Sequence, residues 1–103
     1  MKTLLPLLSA LLLVNLIHAE KLQVFIGTGA RDAEGIYQCT FDTGTGKLTK
    51  PELAAAIERP GFLALSPDGQ FLYSVGKQNK VDSVSAYAVD GSKLTLLNHE
   101  PIG

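Results

Sequence analysis

Three cations lie in polar, glycine-bounded stretches of the chain. Arg31 is in GARDAEG (29–35), Arg59 in AIERPG (56–61) and Lys80 in GKQNKVD (76–82). Loop cations of this kind can hold a carboxylate or phosphate, arginine through two parallel hydrogen bonds and lysine as a point charge. The same residues also suit a solvated loop, where isolated charges contribute little. His99 beside Glu100 offers an imidazole, a side chain able to act as acid or base, but it falls at the end of an outer strand and reads as a surface histidine. Asp32, Glu34 and Asp82 carry oxygen ligands suited to a hard cation. Their spacing matches no cation loop, so no metal and no cofactor are predicted. GTGARD (27–32) opens like a dinucleotide fingerprint, then lacks the last glycine and the helix. GTGKL (44–48) has Leu48 where a phosphate loop needs Ser or Thr. No Ser-His-Asp set is present, and no catalytic residue is assigned.

The elements that must position these loops are strands. Leu22–Thr28 and Gly35–Asp42 are rich in β-branched and aromatic residues. In the second run Tyr37, Cys39 and Phe41 share one parity and therefore one face. Cys39 reads there as a small buried hydrophobe. TGTG (43–46) is a turn, and KLTKPELAAAI (47–57) reads as an irregular edge strand, because Pro51 donates no ladder hydrogen bond. Phe62–Leu65, the turn Ser66–Gly69 and Phe71–Val75 form a hairpin. Pro67 fixes φ, Asp68 can bond its own backbone and Gly69 tolerates positive φ. A polar loop is expected over 76–82, then strands at Ser83–Val89 and Lys93–Asn98.

These strands repeat. VFIGT from Val24 lies over FLYSV from Phe71, GIYQCTFD over SVSAYAVD, and GKLT over SKLT, at offsets of 46 to 48 residues. A period in the upper forties with four short strands per unit is the pattern of a β-propeller blade. The fold class is therefore all-β: about two four-stranded antiparallel blades. The first copy starts at the second strand of its blade. With about one and three-quarter blades against the roughly four to eight of a closed ring, 20–103 reads as the N-terminal blades of a larger propeller. Self-association through open blade edges is expected.

The first residues have another character. Met1-Lys2 precedes an apolar run from Leu4 to Ile17, and Ala19 offers a small residue for cleavage. Positive start, apolar middle and small-residue end are the marks of a secretory signal peptide, here a helix over 1–19. The expected location is periplasmic or secreted, with no membrane association after cleavage. With Lys2 removed, the nine Lys and Arg become eight, against ten Asp and Glu. That balance lacks the basic footprint of a nucleic-acid binder. A single cysteine excludes an internal disulfide.

EGIY…FD..TG.L and P.FLA.SPDG.FLY, as they stand here, resemble the opening of the seven-bladed β-propeller lactonase family, which includes bacterial 6-phosphogluconolactonase. The resemblance covers nearly all of Leu22–Gly103, the first two blades of seven. The SPDG.FLY part alone is less specific, since it recurs in other propellers. The resemblance implies hydrolysis of a sugar lactone, a small-molecule substrate. It places the proposed His, Arg and Glu groups in later blades, so this stretch should be inactive alone. A signal peptide departs from a cytoplasmic phosphosugar substrate. The other reading is a non-catalytic exported propeller that binds a ligand or protein partner through its rim, where Arg31, Arg59 and Lys80 are the candidate contacts.

Overall fold

The computed structural model describes residues 18–103, so the expected signal-peptide helix lies almost wholly outside the described residues. Among those residues every regular element is a strand, and all pairing is antiparallel. The first sheet contains β1 (Lys21–Ile26), β2 (Gly35–Asp42), β3 (Lys47–Leu48) and β4 (Glu52–Ala56). The second contains β5 (Leu63–Leu65), β6 (Phe71–Gln78), β7 (Val81–Asp90) and β8 (Lys93–Pro101), in that spatial order.

In the first sheet β1 pairs one side of β2, and both β3 and β4 pair the other. The last two are one outer strand interrupted near Pro51, as the missing proline N–H predicts. Thr49 bridges the gap. Its amide donates to the Thr40 carbonyl at 3.0 Å, and its hydroxyl accepts the Thr40 amide at 2.8 Å. The second sheet is an uninterrupted meander, and its β5 is the innermost strand that the first sheet lacks.

Register corrects the sequence alignment by one residue. Val24 pairs with Cys39 and Leu72 with Tyr87, so the two hairpins superimpose at a constant offset of 48. Val24 therefore corresponds to Leu72 and not to Phe71. A second correction concerns 76–82. β6 runs on to Gln78 and β7 begins at Val81, leaving a two-residue connection. Asn79 and Lys80 have φ of 50° and 66°, the left-handed pair of a hairpin turn whose twist matches its strands. Polarity suggested a loop, but these side chains ride on a solvated hairpin.

Alternation sorts the side chains into two faces per sheet. Ile36, Ala54 and Ile57 of the first sheet and its crossover meet Leu72, Tyr87 and Leu94 of the second, forming the shared core. Phe25, Leu63 and Val89 pack around it. Cys39 is on the other face of the first sheet, buried as expected. Phe71, Tyr73 and Val84 lie on the far face of the second sheet, where they stay substantially exposed. Each sheet thus has one apolar face against its neighbour and one apolar face beyond it.

Candidate functional site

The chain leaves β4 through Ile57–Gly61 and crosses to β5. Two glycines make room for this crossing. A Cβ on Gly27 would stand 2.5 Å from the Pro60 carbonyl oxygen, and one on Gly76 would stand 2.8 Å from Ile57 Cδ1. Both are closer than real Cβ contacts, so side chains there would push the segment outward. The Lys77 amide donates to the Glu58 carbonyl at 2.8 Å, and the Ile57 amide to the Glu34 carbonyl at 3.2 Å. The crossover is therefore tied on one side to the second sheet and on the other to the β1–β2 loop.

That loop holds itself together. The Ala30 amide donates to the Thr28 hydroxyl at 3.1 Å, the Ala33 amide to the Ala30 carbonyl at 3.3 Å, and the Glu34 amide to the Tyr37 hydroxyl at 3.0 Å. Tyr37 shares a strand face with Cys39 and Phe41, and its hydroxyl also anchors the loop.

Where loop and crossover meet, Arg31, Ala33, Glu58 and Arg59 line a cavity of about 320 Å³. Two of the three cations singled out by sequence are thus brought to one site. Lys80 is not in its lining: it occupies the tip of the β6–β7 turn. Glu58 and Ala33 were not singled out, although Glu58 neighbours Arg59 in AIERPG; what reveals Glu58 is its bridge to Lys77, a contact between sheets with no local signature. Arg59 has φ of 54°, a left-handed conformation costly for a residue with a Cβ, and it precedes buried Pro60, which further disfavours helical-type backbone. Arg31 and Arg59 are exposed, and among the described residues neither has a carboxylate partner within 4.0 Å; the ion pair present is Lys77–Asp82 at 3.0 Å. Asp82 is thereby a partner of Lys77. His99 pairs with Ser85 across the β7–β8 ladder and is exposed, as expected of an outer strand.

A polar seam runs between the sheets, and no sequence motif announced it. Gln78 donates through Nε2 to the Ser85 hydroxyl at 2.9 Å and to the Tyr87 hydroxyl at 3.3 Å. Ser83 donates to the Val81 carbonyl at 2.9 Å, and Ser74 to the Val75 carbonyl at 2.8 Å. Nearer the outer strands, Gln23 donates to Gln38 at 3.5 Å and to the Gly91 carbonyl, and Lys93 Nζ to the Leu53 carbonyl at 3.1 Å. Burial of Tyr87 raises its phenol above the ordinary 10.0, against the opposing hydrogen bonds from Gln78 and Ser85. At the opposite end of the sheet, the Ser66 hydroxyl donates to Asp68 at 2.7 Å and the Gln70 amide at 3.0 Å. The Ser66 bond first, then that of Gln70, lower the Asp68 carboxyl below its usual value.

A second cavity, of about 340 Å³, opens on the far face of the second sheet between Phe62, Tyr73, Val75 and Val84. Its lining is apolar, and Phe62 is 79% exposed. It continues the apolar face described above and offers no group for chemistry.

Comparison with known proteins places this geometry in context. Residues 23–103 match the model of the family described as lactonase, 7-bladed β-propeller. The chain is 36% identical over 81 residues to a 6-phosphogluconolactonase of Bacillus subtilis, an alignment covering 76% of this chain and 23% of that protein. The chain therefore spans about a quarter of the length of that relative. Among solved structures, a protein of Lactobacillus plantarum superimposes with a TM-score of 0.68 at 34% identity, over 82% of this chain and 24% of the other. A Bacteroides uniformis protein provisionally assigned as a 6-phosphogluconolactonase gives 0.69 at 35% identity, over 79% and 24%.

Proposed function

Because the chain belongs to the seven-bladed β-propeller lactonase family, we propose that it contributes two neighbouring blades to an enzyme that opens a sugar lactone with water. The observation that carries this reading is the match over residues 23–103, supported by 36% identity to a 6-phosphogluconolactonase. Lactone hydrolysis is attack of water on an ester carbonyl. It needs a base to take the water's proton and a donor or cation to stabilise the oxyanion. The two described blades supply loop cations at one rim and a rigid stack that fixes where those cations stand. Base and oxyanion donor are assigned to no residue of this chain, and the two blades alone are expected to be inactive.

We place the protein outside the cytoplasm, on the strength of the N-terminal residues 1–19. An exported enzyme would meet sugar lactones other than those of cytoplasmic phosphosugar metabolism. The test uses the intact protein with gluconolactone and its 6-phosphorylated form, following acid release in a pH-stat. Hydrolysis above the spontaneous rate is expected for at least one. No acceleration with any sugar lactone would leave the second reading, a propeller that binds a ligand at this rim without reacting. Export has its own measurement: the mature protein should begin at Glu20.

A further inference from the structure

The strongest unexplained feature is the pair of guanidinium groups at the crossover. Arg31 comes from the β1–β2 loop and Arg59 from the β4–β5 crossover, and both line the cavity of about 320 Å³. Neither has a carboxylate within 4.0 Å among the described residues. Two guanidinium groups with no ion-pair partner, set against the single carboxylate of Glu58 in the same lining, leave the concavity net positive and favour an anion placed between them. The backbone supports the same reading. Arg59 is held at φ of 54° next to buried Pro60, a conformation maintained only because its surroundings impose it. Those surroundings are the Glu58–Lys77 hydrogen bond and the close approach of Gly27 to Pro60. Glu58 lines the same cavity and can accept hydrogen bonds from hydroxyl groups. The volume falls at the lower end of the roughly 300–1,000 Å³ of small-molecule sites.

We propose that Arg31 and Arg59 form an oxyanion-binding subsite for a hydroxylated acid, with Glu58 accepting from a neighbouring hydroxyl. The anion is either the carboxylate released when a lactone opens or a phosphate carried on the sugar. Both present planar or tetrahedral oxygens that an arginine fork engages through two hydrogen bonds. The choice of a sugar acid rests on the lactonase reading; the anion subsite itself does not. Lys80, outside the cavity lining, takes no part.

The test is binding, measured by calorimetry on the intact protein with gluconate, inorganic phosphate and glucose. Gluconate or phosphate should bind, and whichever binds more tightly identifies the anion's source. Glucose should bind more weakly than either. Replacing Arg31→Gln or Arg59→Gln should weaken anion binding about tenfold or more, the loss of a charged hydrogen bond. The double lysine variant, R31K with R59K, keeps the charge but not the fork and should fall between. Lys80→Gln should leave affinity unchanged. Both arginines are exposed, so these variants should melt like the parent, and a melting curve checks each. Absence of anion binding by the parent, or equal binding by the R31Q/R59Q double variant, would overturn the proposal. Hydrolysis that persists without arginine-dependent binding would remove the subsite and spare the lactonase reading. Binding without hydrolysis would do the reverse.

Discussion

Adding one methyl group at Gly76 tests how tightly the two sheets are clamped. The Cβ of Gly76→Ala would stand 2.8 Å from Ile57 Cδ1, 3.0 Å from the Glu58 carbonyl oxygen and 3.1 Å from Ile57 Cγ1. Ordinary contact begins near 3.4 Å. The Glu58 oxygen cannot retreat freely, because it accepts the Lys77 amide at 2.8 Å. Ile57 is 6% exposed and sits in the shared core. Overpacking of this kind costs about 1–3 kcal/mol. Replacing a strand glycine by alanine returns about 0.5–1 kcal/mol of conformational entropy. The net expectation is a loss of about 1 kcal/mol, within a span of about 0–2.5 kcal/mol. Urea unfolding of the intact protein should show a lower midpoint at unchanged slope. Ile57→Val removes the Cδ1 that would be struck first, and alone should cost about 0.5–1.5 kcal/mol. In the double variant the two losses should sum to more than the measured one, a favourable coupling of neighbouring sites. Gly61→Ala, with nothing within 4 Å of the new Cβ, should show no overpacking loss. A G76A protein as stable as the parent, or an additive double variant, would refute the clamp.

Other outcomes follow from the same geometry. Leu72 is fully buried between the sheets, so Leu72→Ala should lose about 2–5 kcal/mol by denaturant titration, whereas Leu97→Ala at 54% exposure should lose far less. Lys80→Gly should raise the melting temperature, because it relieves a left-handed residue at φ of 66° at a cost of about 1–2 kcal/mol, less the entropy glycine adds to the unfolded chain. Tyr87 is held neutral by burial, with its folded value raised above 10.0; stability from this group is complete below pH 10 and declines as pH rises toward and through the folded value. Alkaline titration of unfolding free energy should show that decline, and Tyr87→Phe should flatten it.

Much of this architecture could be read from local signals. In Gly35–Asp42 the β-branched and aromatic content, with Tyr37, Cys39 and Phe41 alternating with polar Gln38, Thr40 and Asp42, made β2 legible over its full extent. The turn SPDG was legible because its chemistry is internal: Ser66 and Asp68 satisfy their own turn, and Gly69 sits at φ of 73°. Pro51 foretold the break in the outer strand. The segment 76–82 was misread as a loop because polarity cannot separate a solvated hairpin from a loop. The one-residue alignment slip arose because β1 and β6 both alternate poorly, and only pairing to β2 and β7 fixes their register. At the candidate site, Arg31 and Arg59 were visible as loop cations, but their meeting depends on the crossover between sheets. Glu58 entered through a tertiary hydrogen bond, and Lys80 left through a tight turn. The seam around Gln78, Ser85 and Tyr87 was invisible, because small polar residues on strands look solvent-facing until another sheet covers them.

The path of the Ile57–Pro60 segment is set by what is missing at Gly27 and Gly76, not by the side chain of Arg59. Scaffold and recognition are therefore separable at this point. Relatives could exchange the residue at position 59, and with it the preferred ligand, while the bend that displays it is inherited intact. Such a position is a natural site of functional diversification among residues that tolerate its left-handed backbone: selection can retune chemistry there while the glycines hold the bend.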